Sequence, residues 1–175
     1  MQVSDFRTWL ADSVPDSQVR ARFLTFLDAH PDGLTRECRD GHITASAFVV
    51  DATLRRAAVV LHPIARRWLQ PGGHLELGDA DLAAAAAREA REETGLPVTI
   101  DPRPLRLDVH DVHCRLATGG IGPSVHYDVG VLALTEPGAC LGPVLDPVTW
   151  HSLHVEFRDD TTLEGLRHAA IRRIS

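Results

Sequence analysis

The chain has 175 residues, 44% of them hydrophobic, with 24 acidic residues against 18 basic ones and a formal net charge of -6. That length builds one domain with a substantial core, and the negative balance argues against a general nucleic-acid or membrane surface. Cys38, Cys114 and Cys140 stand far apart without a Cys-x-x-Cys pair, which disfavours a disulfide framework or a zinc-finger site. No apolar run approaches membrane-spanning length and the N-terminus has no apolar signal core, so a cytoplasmic protein is expected.

The first predicted element is a short helix around Phe6, Trp9 and Leu10. A second runs from Pro15 to Ala29, where Val19, Phe23, Phe26 and Leu27 follow helical spacing. Pro15 suits its first turn, and His30-Pro31-Asp32-Gly33 ends it. Residues 1–40 thus read as a helical extension packed on a main domain of residues 41–175. From His42 the period changes to two: Ile43, Ala45, Ala47 and Val49 alternate with Thr44, Ser46 and Phe48, which predicts a half-buried strand. Ala57 to Leu61 predicts a buried strand, and Trp68 to Gln70 leads into a glycine turn and an alanine-rich helix. Leu105 to Cys114 alternates as a strand, Ala117 to Ser124 reads as a glycine-rich loop, and Val125 to Leu134 is a strongly apolar strand. Gly142 to Pro147 is a connector, and Leu163, Leu166, Ala170 and Ile174 trace a C-terminal helix. Mixed strands with a central and a terminal helix give an α+β fold, an α/β/α sandwich.

The chemistry concentrates between Gly73 and Leu96. An α-helix turns about 100° per residue, so Glu89, Glu92 and Glu93, at i, i+3 and i+4, share one stripe. Like charges at that spacing destabilise a helix unless a cation neutralises them, and all-oxygen ligation suits Mg²⁺ or Mn²⁺. Gly72-Gly73 permits close backbone approach to a ligand. Asp79 and Asp81 flank the helix start, where acids satisfy free N–H groups, and Gly95 is suited to terminate the helix. Arg88 pairs with Glu92 at i,i+4 and is expected to orient it.

This segment resembles the Nudix box: Gly, five residues, Glu, seven residues, then Arg-Glu-apolar-x-Glu-Glu-x-Gly-apolar. Arg88, Glu89, Ala90, Glu92, Glu93, Gly95 and Leu96 match the second half. The first half departs twice. Asp79 stands where the family has Glu, and eight residues instead of seven separate it from Arg88, leaving Asp81 a competitor for its role. Outside the box, Gly41-His42-Ile43-Thr44-Ala45-Ser46-Ala47, Trp68-Leu69-Gln70-Pro71-Gly72-Gly73-His74 and His126-Tyr127-Asp128 are similar to a Nudix subgroup without a settled substrate. The resemblance covers roughly Gly41 to Trp150.

The resemblance implies a mixed sheet between helices and hydrolysis of a pyrophosphate bond in a nucleoside diphosphate derivative. It implies Mg²⁺, with Mn²⁺ as the substitute, held by Gly73, Glu89, Glu92, Glu93 and Asp79, and a homodimer. The general base implied is a box glutamate or a later acid, and among the later acids Asp128 ranks first, ahead of Glu136 and Asp146. His42, His74, His126 and Trp68 are the candidate substrate contacts, and His110 joins them if its strand is a neighbour. The competing class is a non-catalytic nucleotide-binding regulator on the same fold, for which the altered start of the box is the supporting feature. Isomerisation of an allylic diphosphate needs a matched cysteine and glutamate, and none of the three cysteines stands in such a context.

Overall fold

Two helices open the chain, α1 (Val3–Ser13) and α2 (Gln18–Ala29), and the strands begin after them. In order these are β1 (His42–Asp51), β2 (Arg56–Leu61), β3 (Trp68–Leu69) and β4 (Gly72–His74). Then follow α3 (Leu82–Thr94), β5 (Thr99–Arg115), β6 (Ile121–Thr135), β7 (Val148–Ser152) and α4 (Thr161–Ile174). The computed structural model describes residues 1–14, 17–115 and 119–174.

One mixed, seven-stranded sheet forms the centre. Strand β1 runs parallel to β6, from His42 opposite His126 to Asp51 opposite Thr135. On its other side β1 is antiparallel to β2 and to β4, with Thr44 opposite His74. Strand β5 pairs outside β6, and β2 also carries β3 and β7. Helices α1, α2 and α3 contribute Phe6, Leu10, Phe23, Leu82 and Ala86 to a core shared with Ile43 and Val129. On the opposite face α4 packs Leu163, Leu166 and Ala170 against Phe48, Val50 and Leu132. Burying Phe6 or Phe23 completely is worth about 1.5–3 kcal/mol each. Ring contacts tie α2 to the sheet, with Phe26 stacked 4.1 Å from Tyr127 and Phe23 edge-on at 5.4 Å.

Several expected boundaries shift for physical reasons. All ten residues of β1 are buried, where the alternation predicted a half-buried strand. Its odd residues face α1 to α3, Phe48 and Val50 face α4, and Thr44 and Ser46 are buried because their hydroxyls bond to Asp128. Helix α2 starts at Gln18 with Ser17 as its cap, accepting from the Arg20 N–H at 3.2 Å; Pro15 lies outside the described residues. Strand β6 begins at Ile121, so residues 121–124 of the expected glycine-rich loop are strand, and Ala117 and Thr118 lie outside the described residues. Strand β5 begins six residues before Leu105, with register shifts at Asp101, Pro104 and Arg106, where a proline has no N–H for the ladder. Strand β7 was unmarked in the sequence: Val-Thr-Trp-His-Ser shows no apolar run, and its pairing with β2 defines it. No described helix is long and apolar enough to cross a membrane.

Candidate active site

Helix α3 carries the box. Its cap is Asp81, which accepts from the Ala84 N–H at 2.8 Å, and Gly95 ends it in the left-handed conformation at φ 69°. Alanine supplies high helix propensity, and Ala85, Ala86 and Ala90 bury a small-residue face that lets the helix lie close to the sheet. Arg91 and Glu92 point to solvent, while Glu89 and Glu93 turn toward a cleft of about 590 Å³.

The cleft floor is Thr44, Ser46 and Asp128 on the even-numbered face of β1 and β6. One wall is Gly72, Gly73 and His74 with Glu89 and Glu93; the other is formed by His110, Cys114 and His126. Gly73 lets the end of the Glu89 side chain lie against the turn, since a Cβ there would come 2.5 Å from Glu89 Oε1. The Gly72 N–H donates to Glu93 Oε2 at 3.0 Å. Burial raises the pKa of Glu89 against the pull of Arg88. Burial also pushes Glu93 up to about 7, helped by the charges of Glu89, Asp146 and Glu92 and opposed by the Gly72 N–H.

Arg88 sits behind this wall. Its guanidinium donates to Asp79 at 3.2 and 3.0 Å, to Glu89 Oε1 at 2.8 Å and to the His74 carbonyl at 2.8 Å. The hydrogen bond to Glu92 is the longest, 3.4 Å, so Glu92 is not the principal partner that the i,i+4 spacing predicted. Asp79 is buried and also accepts from the Glu76 N–H at 2.8 Å. Burial raises its pKa, but the bonds from Arg88 and Glu76 outweigh that and hold it low. The competition between the two aspartates resolves by position: Asp81 caps the helix from solvent, and Asp79 is the interior acid that fixes Arg88.

Of the residues singled out in the sequence, Gly73, His74, Glu89, Glu93, His126 and Asp128 line the cleft. His42 stands directly behind it, its ring 4.6 Å from that of His74 and 4.9 Å from that of His126. Three residues are placed elsewhere. Glu92 is 59% exposed outside the cleft, Asp79 is committed to Arg88, and Trp68 is 40% exposed on the short edge strand β3. Each carboxylate oxygen of Asp128 accepts a hydroxyl, from Thr44 at 2.9 Å and from Ser46 at 2.6 Å, and burial raises its pKa against those bonds.

The sequence reading passed over Thr44, Ser46, Gln70, Arg67 and Cys114, all of which line the cleft. Thr44 and Ser46 were readable in principle, because hydroxyls at i and i+2 of an otherwise apolar strand face one way. His110 is held by Asp108 at 3.0 Å, which raises its pKa against the effect of burial, and it lines the cleft together with Arg67.

Residues 40–160 match the model of the NUDIX domain. The chain belongs to the Nudix family. It is a Nudix hydrolase, of a family that uses divalent metals. Similar solved structures include a Caenorhabditis elegans Ap4A hydrolase (TM-score 0.55, 16% identity, 75% of this chain and 96% of that one). A Nudix-family hydrolase from Clostridium perfringens aligns with TM-score 0.55 and 22% identity over 78% of this chain and 99% of that one. The NUDIX domain of Shewanella oneidensis NrtR, crystallised with ADP ribose, aligns with TM-score 0.51 and 20% identity over 86% and 98%. These likenesses establish the Nudix fold. No curated protein matches the sequence.

Proposed function

We propose that this Nudix hydrolase cleaves a pyrophosphate bond in a nucleoside diphosphate derivative, with Mg²⁺ or Mn²⁺ bound between the box helix and the glycine turn. The observation that carries this reading is the pair of half-buried carboxylates, Glu89 and Glu93, packed against Gly72-Gly73. Arg88 reaches Glu89, and its remaining bonds go to Asp79, the His74 carbonyl and, weakly, Glu92. The surplus negative charge fits a hard cation, which prefers oxygen ligands. Glu89, Glu93 and the Gly73 carbonyl would hold it, with Glu92 recruited from solvent by a side-chain rotation. Such an ion supplies charge neutralisation for a diphosphate and a water of lowered pKa.

The protein's own groups do the rest. Arg88 fixes Glu89 and the His74 carbonyl, so it is a positioning residue, and Asp79 holds Arg88 in turn. Arg67 offers positive charge to the anionic substrate, and His110 a ring nitrogen for hydrogen bonding. Asp128 is the candidate to accept the proton of the attacking water, with Thr44 and Ser46 orienting its two oxygens. The nucleoside side of the substrate belongs in the open part of the cleft, where Ile64 and Leu69 provide apolar surface. The ADP ribose held by the NrtR domain and the substrate in the name of the Ap4A hydrolase make these two compounds the natural first probes.

The test is release of phosphate and nucleotide from ADP ribose, Ap4A and nucleoside triphosphates, with Mg²⁺, with Mn²⁺ and with EDTA. Metal-dependent cleavage is expected. Glu93→Gln should lower it by more than the about 10–100-fold that loss of a supporting residue costs. Absence of turnover together with thermal stabilisation by the same compounds would replace the hydrolytic reading with the nucleotide-binding one.

A further inference from the structure

In the cleft walls, with His42 directly behind them, the fold gathers four metal-ligating side chains that come from four strands. His42 opens β1, and His126 lies opposite it in β6. His74 ends β4 opposite Thr44, two residues along β1 from His42, and Cys114 is near the end of β5. The ring of His42 is tilted against those of His74 and His126, with centroids 4.6 and 4.9 Å away, and His74 meets His126 edge to face at 5.4 Å. One ligand atom from each of His42, His74, His126 and Cys114 lies within 4.8 Å of every other. His42 is 2% exposed and Cys114 7% exposed.

The unusual feature is hydrogen bonding. Neither ring nitrogen of His42 has a hydrogen-bond partner among the described residues, and Nε2 of His74 and of His126 lack one as well. Buried polar atoms are ordinarily paired, and an unpaired one costs about 1–3 kcal/mol. Three imidazoles that each offer one nitrogen within 4.8 Å of a buried thiol sulfur call for a shared partner that accepts one lone pair from each.

We propose that His42, His74, His126 and Cys114 form a binding site for a transition-metal ion of the Zn²⁺ type, chemically distinct from the carboxylate site of the box. Three nitrogens and one sulfur are a donor set that selects borderline-soft ions over Mg²⁺. Metal–ligand bonds of about 2.0–2.3 Å put tetrahedral ligand atoms roughly 3.3–3.8 Å apart, so the cluster need contract by only about 1 Å. Neutral imidazole is the ligating form. Its consequence is twofold. An ion there clamps β5 to the central strands, and it adds positive charge to the wall that faces the substrate. That role replaces the direct substrate contact expected of His42, His74 and His126. The site is independent of the pyrophosphate reading, since it uses none of the box carboxylates.

Cobalt(II) provides the probe. Metal-free full-length protein is titrated with Co²⁺ in excess Mg²⁺, and bound metal is counted while the absorption spectrum is recorded. One cobalt per chain is expected, with a sulfur-to-cobalt charge-transfer band and the visible bands of a four-coordinate ion. Cys114→Ser should abolish the charge-transfer band, and His126→Ala should weaken binding by about 10-fold or more. Glu89→Gln/Glu93→Gln should leave the band in place. X-ray absorption of the zinc-loaded parent gives a readout that needs no variant, with a sulfur scatterer expected at about 2.3 Å. A first shell of oxygen and nitrogen alone would overturn the assignment. So would a charge-transfer band that survives Cys114→Ser and disappears in Cys38→Ser, which would put the ion at His30, Asp32 and Cys38.

Discussion

Replacing Arg88 by alanine removes the central cation of the box. The guanidinium is 20% exposed, and the carboxylates it serves are more buried still, Asp79 at 8% and Glu89 at 14%. Asp79 would keep only the Glu76 N–H, Glu89 would lose its 2.8 Å partner, and the His74 carbonyl would lose its donor. Breaking a buried ion pair by deleting one partner costs about 3–5 kcal/mol, because the remaining charge stays uncompensated. For a chain of this size 1 kcal/mol moves Tm by about 2–4 °C, so Arg88→Ala should melt about 6–20 °C below the parent. Arg88→Lys keeps the charge but cannot bridge Asp79, Glu89 and the carbonyl at once, so it should fall between the two. The double variant Arg88→Ala/Asp79→Ala removes a stranded carboxylate along with its cation. It should be more stable than the sum of the single losses predicts, by an amount within the about 0.5–3 kcal/mol range of contacting pairs. The assay is urea and thermal unfolding of Arg88→Ala, Arg88→Lys, Asp79→Ala and the double variant without metal. A loss for Arg88→Ala within about 0.5 kcal/mol, the range of surface substitutions, or strict additivity of the double variant, would refute the reasoning.

Two further outcomes follow from single contacts. Gly73→Ala places a methyl group where the end of the Glu89 side chain now sits, and that flexible end can rotate away. We expect kcat to fall by about 10–100-fold, as for other losses of ligand support, with little change in the melting curve; unchanged kcat would remove Glu89 from the site. Asp51 tests the fold itself. Burial raises its pKa, but bonds from the Thr53 hydroxyl, from Arg56 at 2.8 Å and from the Arg55 N–H outweigh that and hold it below its ordinary value. The folded protein therefore binds this proton more weakly than the unfolded chain does. The resulting stability is complete above about pH 4, the carboxyl's unfolded pKa, and is lost as pH falls through the lower folded value. Urea midpoints of the parent and of Asp51→Asn should differ at neutral pH and converge toward pH 3; a constant gap would show that the carboxylate's ionisation is not the source.

Local pattern was enough for the elements whose signal lies within one turn or one pleat. Helix α3 with its Asp81 cap and Gly95 stop, the helices around Phe6 and Phe23, and α4 all follow from periodicity and terminator chemistry. The apolar runs that became β2 and the second half of β6 do too. Glu89 and Glu93 were legible for the same reason, since the helical period alone puts them on one stripe. Strand β7 was not, because its only organising signal is the strand beside it. The status of β1 was also invisible: alternation shows that two faces differ, and only packing shows that α4 and Asp128 bury the second one.

The sequence by itself determined the box helix, its glycine turn and the family they belong to, because those are short-range features of backbone and charge. Tertiary structure alone decided which carboxylates share the cleft. Glu92 belongs to the same helical stripe as Glu89 and Glu93, yet it faces solvent, because the glycine turn covers only one edge of that stripe. It also decided that Asp79 serves Arg88, across a loop whose path spacing does not encode. Likewise His42, His74, Cys114 and His126 are separated by 31, 39 and 11 residues in the chain. Strand register, a long-range property, is what brings them within 4.8 Å.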